Sequence, residues 1–71
     1  MKTATSLDEQ KALVLSVIKS GYVGLLFRDW TWYVSKKLTS IAAARQWWDN
    51  LRCPARVYKV SNGVATLIMA R

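Results

Sequence analysis

Between Leu7 and Ser20, Leu13, Val14, Val17 and Ile18 recur at helical spacing and form one apolar stripe, with Lys11 and Lys19 off it. Ser6 followed three residues later by Glu9 is a capping-box pair, and Gly21 is a natural stop. The pattern predicts a first helix over about 7–20, preceded by a flexible N-terminal segment, 1–6. The next stretch, GYVGLLFR, is short and apolar with two glycines. It fits a tight connection or a short extended piece, with Leu25 and Phe27 plugging the core. Asp29 is placed to cap a second, short helix whose apolar positions are Trp30, Val34 and Leu38, spaced four and four. Ser35, Lys36 and Lys37 then point away, and Thr39-Ser40 ends the helix because both residues prefer caps to interiors.

Ser40 opens a third helix. Ile41, Ala44, Trp48 and Leu51 share one face, while Ala42, Ala43, Arg45, Gln46 and Asp49 lie opposite, with Trp47 on the border. Pro54 forbids continuation, and Arg52 near the end suits the helix dipole. The last segment predicts a hairpin, RVYKV and VATLIMA around Ser61-Asn62-Gly63, because a type I′ turn favours Asn-Gly. The register then pairs Tyr58 with Leu67, Val60 with Ala65 and Arg56 with Met69 on a mainly apolar face, leaving Val57, Lys59, Thr66 and Ile68 on the other.

Helix, short connection, helix, tight turn, helix and hairpin is the layout of a winged helix-turn-helix. The expected fold is therefore α+β, three helices followed by a C-terminal β-hairpin wing, in one domain over 7–71. Ala44 carries this reading, since a small side chain lets two helices cross closely. Trp30 and Trp48 fall on predicted core faces. Trp32 and Trp47 are open to either side, and an exposed one offers a self-association or partner contact.

Composition narrows the function. The chain has 71 residues and a formal net charge of +7, from 11 Lys+Arg against 4 Asp+Glu. All four acids lie at or before Asp49, and Arg52, Arg56, Lys59 and Arg71 follow it. Such an excess calls for an anionic partner, and phosphate backbones are a common one. Absence of histidine removes the commonest general base, and four scattered carboxylates offer no acid/base pair. The lone Cys53 has no histidine to activate it and reads as a small half-buried thiol. No enzyme, no metal site and no cofactor is expected. No leader-like apolar segment precedes Asp8-Glu9, and no run is long enough to span a bilayer, so the setting is read as cytoplasmic without membrane contact.

TWYVSKKL, TSIAAARQWWDNL and ARVYKVSNGVATLIM together resemble the small winged-helix regulators of bacterial fimbrial operons (the FaeA/PapI type). More loosely they resemble phage excisionases and small phage or plasmid regulators. Val34 and Leu38 match that family's Ile-x-x-x-Leu spacing. Ala44-Arg45 before Trp47-Trp48 matches its Ala-Arg pair, and Gly63-Val64-Ala65-Thr66 matches the end of its wing. The likeness covers roughly residues 10–69. The chain departs in a shorter turn before the third helix, in Cys53-Pro54 where the family has glycine, and in its tryptophans.

The expected activity is sequence-specific binding of double-stranded DNA, as a small transcriptional regulator or phage- or plasmid-type factor. The third helix would enter the major groove, and the hairpin wing would lie on the backbone. Arg45 and Gln46 are the candidate base readers, suited to guanine and adenine, with Ala42 and Ala43 allowing close approach. Thr39 and Ser40 at the helix start, Lys36, Lys37, and Lys59 and Asn62 of the wing are the remaining candidates, as backbone contacts. The rival reading keeps the scaffold and docks on a protein, as a phage-type inhibitor would.

Overall fold

The computed structural model describes residues 3–70; Met1, Lys2 and Arg71 lie outside them, and with them the first two positions of the segment expected to be flexible. The elements are β1 (Thr3–Ala4), α1 (Leu7–Val17), β2 (Gly21–Arg28), β3 (Thr31–Leu38), α2 (Ile41–Asp49), β4 (Ala55–Ser61) and β5 (Val64–Ala70). All strands join one antiparallel sheet in the order β1-β3-β2-β4-β5. The α+β class holds, but the winged helix-turn-helix does not. Helix, hairpin, helix, hairpin replaces three helices and a wing.

The expectation fails between Asp29 and Leu38, which hold no helix. Trp30, Val34 and Leu38 are four residues apart, and four is a multiple of the strand period as well as close to one helical turn. Thr31, Trp32, Tyr33 and Val34 are β-branched or aromatic, which tips the segment to strand. Asp29 does not cap. Asp29 and Trp30 both take positive φ, 54° and 64°, and form the two-residue turn of the β2–β3 hairpin. GYVGLLFR accordingly resolves as a full strand rather than a connection.

The other start signals work as local chemistry dictates. Glu9 N–H donates to Ser6 Oγ at 3.2 Å, and Thr5 and Ser6 hydroxyls donate to the Glu9 carboxylate at 2.9 and 3.1 Å. Those two hydroxyls hold the Glu9 carboxyl below its ordinary pKa. Ser40 Oγ accepts from Ala43 N–H at 3.1 Å and opens α2. Asn62 and Gly63, at φ 53° and 76°, form the β4–β5 turn.

Both faces of the sheet are covered, which three helices and a wing would not do. α1 lays Leu13 and Val14 on Val23, Leu25, Trp32, Tyr58, Val60 and Ala65. α2 lays Ala44, Trp47 and Trp48 on the opposite face, over Leu38, Val57, Tyr22 and Met69. Ala44 is fully buried against the sheet, so its small size brings helix to sheet, not helix to helix. β3, α2 and β4 form a crossover between two parallel strands with β2 between them. α2 therefore lies across β2, where Gly24 leaves room for the Trp47 ring.

Two bulges let one sheet serve two cores. Gly24 pairs with Lys36 but Leu25 with Val34, so Ser35 is an extra residue in β3. Trp32 and Val34 consequently face α1, and Leu38 faces α2. Tyr58 pairs with Leu67 and Val60 with Ala65, as expected, but Val57 pairs with Met69 and Arg56 with Ala70. Ile68 is the extra residue there, and the expected Arg56–Met69 pair is displaced by it. Val57 lies on the face opposite Tyr58 and Val60, as expected, but α2 covers that face and Val57 is fully buried.

Candidate functional site

α2 and the strand end beside it form the principal candidate. A groove of about 420 Å³ runs along one flank of the helix, lined by Lys36, Leu38, Ala43, Gln46, Trp47, Asn50 and Leu51. Its floor is apolar and its rim carries the Lys36 ammonium and two amides. Arg45 and Ala42 are exposed on α2 and do not line it.

The expected site residues separate into groups. Lys36 and Gln46 come together on the groove, with Ala43 partly buried in its wall. Ala43 is therefore a packing residue, and its closeness is to the sheet. Arg45 is exposed one residue before Gln46, on the same helix. Thr39 and Ser40 are exposed at the helix start, with the Ser40 hydroxyl engaged by Ala43 N–H. Lys37 pairs with Val23, whose side chain faces α1, so alternation sends Lys36 and Lys37 to opposite faces. Lys59 pairs with Tyr22 and Thr66 and shares the α2 side with Tyr22. Asn62 sits in the β4–β5 turn and belongs to a sheet hairpin, not to a wing flanking a helix-turn-helix.

The tryptophans redistribute. Trp32 is buried in the α1-side core, and Trp47 packs over Gly24. Trp48 is half-buried, its indole N–H donating to Ala55 O at 3.1 Å. Trp30, expected in the core, is 83% exposed at the β2–β3 turn, its ring edge-on to Phe27 at 6.1 Å between centroids. The signal for this was the Arg28-Asp29-Trp30-Thr31 stretch read as a hairpin turn, which requires both flanking strands to be recognised.

On the α1 face lies a buried polar group that the pattern did not reveal. Gln10 is only 1% exposed, and its Oε1 accepts from Tyr58 Oη at 2.7 Å and from an Arg56 guanidinium N–H at 2.9 Å. The guanidinium also stacks 4.4 Å from the Trp32 ring centroid, and its Nε is buried without a hydrogen-bond partner among the described residues. Burial pushes the Tyr58 hydroxyl above its ordinary pKa, and the Arg56 charge pulls the other way. Two donors converge on one acceptor, so the cluster is a structural tie between α1 and β4 rather than an open site.

Among the described residues no three His, Cys, Asp or Glu side chains gather to hold a metal ion, and no helix is long and apolar enough to cross a membrane. Cys53 is half-buried in the loop between α2 and β4. Compared with protein-family models, curated proteins and solved structures, the chain gives no match.

Proposed function

We propose that the protein is a sequence-specific double-stranded DNA-binding factor, a small cytoplasmic regulator or phage- or plasmid-type protein, that meets the duplex with its α2 side. The supporting observation is a group of cations on the α2 side. Lys36, Arg45, Arg52 and Lys59 are all exposed on or beside the α2 layer, with Asp49 the one carboxylate of the helix. Ala42 leaves the outward helix face slim, and a major groove admits a helix of this kind. Arg45 presents two donors suited to guanine O6 and N7, and Gln46 a donor and acceptor suited to adenine. Lys36 and Lys59 lie to either side for phosphates, with Arg52 past the helix end. The lone cysteine suits a reducing compartment.

The test is selection of bound duplexes from a random pool, followed by affinity measured against salt. Three phosphate contacts, from Lys36, Lys59 and Arg52, give a slope of log K on log salt of roughly −2.7, and Lys36→Ala should flatten it by about 0.9. Arg45→Ala should relax preference at one base pair, at a cost of about 1–3 kcal/mol. A folded protein that recovers no motif and holds no duplex at low salt ends the reading. One observation favours a second reading, docking on a protein. Trp30 is 83% exposed, and exposed tryptophan is a favoured anchor of protein interfaces.

A further inference from the structure

The sheet has two outer edges, and they are built differently. Beyond the stretch that β1 covers, the β3 edge carries Ser35, Lys36 and Lys37, and adjacent lysines blunt a strand against further pairing. The β5 edge has no such guard. VATLIMA contains no charge, no proline and no glycine, whereas β2 carries Arg28, β3 carries Lys36 and Lys37, and β4 carries Arg56 and Lys59. β5 pairs with β4 on one side alone and ends the sheet.

The turn fixes which backbone groups are open. In a two-residue hairpin the flanking pair, Ser61 and Val64, exchanges both hydrogen bonds, and the pattern then alternates. Lys59–Thr66 is thus a bonded pair, while Val60–Ala65 and Tyr58–Leu67 are not. The N–H and C=O groups of Ala65 and Leu67 point outward, away from β4. Exposed apolar side chains adjoin the same edge. Val64 is 60% exposed, and Leu15, 38% exposed, lines a groove of about 370 Å³ that reaches Gly63 at the turn.

We propose that β5 is a self-association edge, pairing antiparallel with β5 of a second copy about a two-fold axis at Thr66. The occupant follows from charge. Each copy carries +7, so two copies repel wherever cations meet, and β5 is the one long strand that brings none. In this register Ala65 pairs with Leu67 of the second copy, and Leu67 with its Ala65, which closes four main-chain hydrogen bonds. Thr66 faces its own copy in a non-bonded pair, with Cα atoms about 4.5 Å apart. The guarded β3 edge limits growth to a closed pair rather than an open ladder. The inference does not depend on DNA binding.

Thr66 is exposed and directly opposite Lys59, so Thr66→Glu gains a favourable cross-strand partner within its own chain while placing two carboxylates face to face across the axis. Sedimentation velocity from low micromolar to near-millimolar protein should show a monomer–dimer equilibrium for the native chain and for Thr66→Val, and a monomer for Thr66→Glu. Circular dichroism should report the same fold in all three. Amide exchange adds a residue-level readout: the Ala65 and Leu67 amides should gain protection as protein concentration rises. A native chain that stays monomeric throughout overturns the proposal. So does a Thr66→Glu variant that dimerises like the native chain, or a dimer that leaves both amides unprotected.

Discussion

Gly24→Ala isolates the packing on which the α2 layer rests. A methyl group at residue 24 would lie 2.9 Å from Trp47 Cε3 and nearer still to Cζ3 and Cη2. Carbon atoms in contact settle at about 3.5–4.0 Å, so the nearest ring atoms must retreat by about 1 Å or more. Retreat toward the groove that Trp47 lines pulls the ring off the cluster of Leu38, Ala44 and Val57, of which Ala44 and Val57 are fully buried. Overpacking of this kind costs about 1–3 kcal/mol. Gly24 does not have positive φ, so alanine also stiffens the unfolded chain and returns about 0.4–1 kcal/mol. The clash wins, with a net loss of roughly 1–2 kcal/mol. In a chain this size that lowers Tm by about 4–8 °C per kcal/mol. Thermal unfolding followed by far-ultraviolet circular dichroism measures it. The same substitution in a Trp47→Leu background should be neutral or stabilising, since the ring it strikes is gone. If Gly24→Ala alone matches or exceeds native stability, Trp47 does not sit where the argument needs it.

Three further changes probe other parts of the fold. Gln10→Leu leaves the Tyr58 hydroxyl and the Arg56 guanidinium without their shared acceptor and should cost about 2–4 kcal/mol by urea unfolding, more than Tyr58→Phe, which removes one donor and leaves Arg56 paired. Because Tyr58 ionises at higher pH when folded than when unfolded, its contribution is complete below about pH 10 and is lost as pH rises toward the folded value. Stability above pH 10 should therefore fall more steeply in the native protein than in Tyr58→Phe; parallel curves would refute this. Trp30→Gly relieves a left-handed backbone that costs a side-chain-bearing residue about 1–2 kcal/mol and gives up an edge-on contact with Phe27 worth about 0.5–1.5 kcal/mol. Denaturant midpoints should accordingly stay equal or rise slightly; a clear drop would mean that Trp30 contributes more packing than its exposure indicates.

Signals confined to a few neighbouring residues were legible in the sequence. Ser6 and Glu9 mark the start of α1, Ser40 marks α2, and Asn62-Gly63 marks the second hairpin. What misled was periodicity over a short window. Trp30, Val34 and Leu38 satisfied a helical stripe, while Trp32, the deeply buried member of the segment, fitted only the alternation of a strand. The bulge at Ser35 hid that alternation, since Leu38 ends up on the face opposite Val34 although both numbers are even. Within the candidate site, exposure of Arg45, Gln46 and Lys36 was readable from α2 and its flank. The divergence of Lys36 from Lys37 was not, because it depends on a strand the spacing concealed. The Gln10–Tyr58–Arg56 tie was beyond reach, joining residues 46 and 48 apart in the chain.

Ser35 has a further consequence, in the currency of chain length. A one-residue deletion inside a strand ordinarily reverses every side chain beyond it, turning core outward and surface inward. At Ser35 the opposite holds. The sheet pairs Gly24 with Lys36 and Leu25 with Val34, so excising the residue between them merges the two registers into one unbroken ladder. Lys36 and Leu38 keep their present faces, and Val34 keeps its own. Ile68 occupies the equivalent place between Leu67 and Met69 in the second hairpin. The two hairpins thus each contain one position where the chain can be shortened without exchanging inside for outside, and insertions or losses elsewhere in these strands have no such refuge.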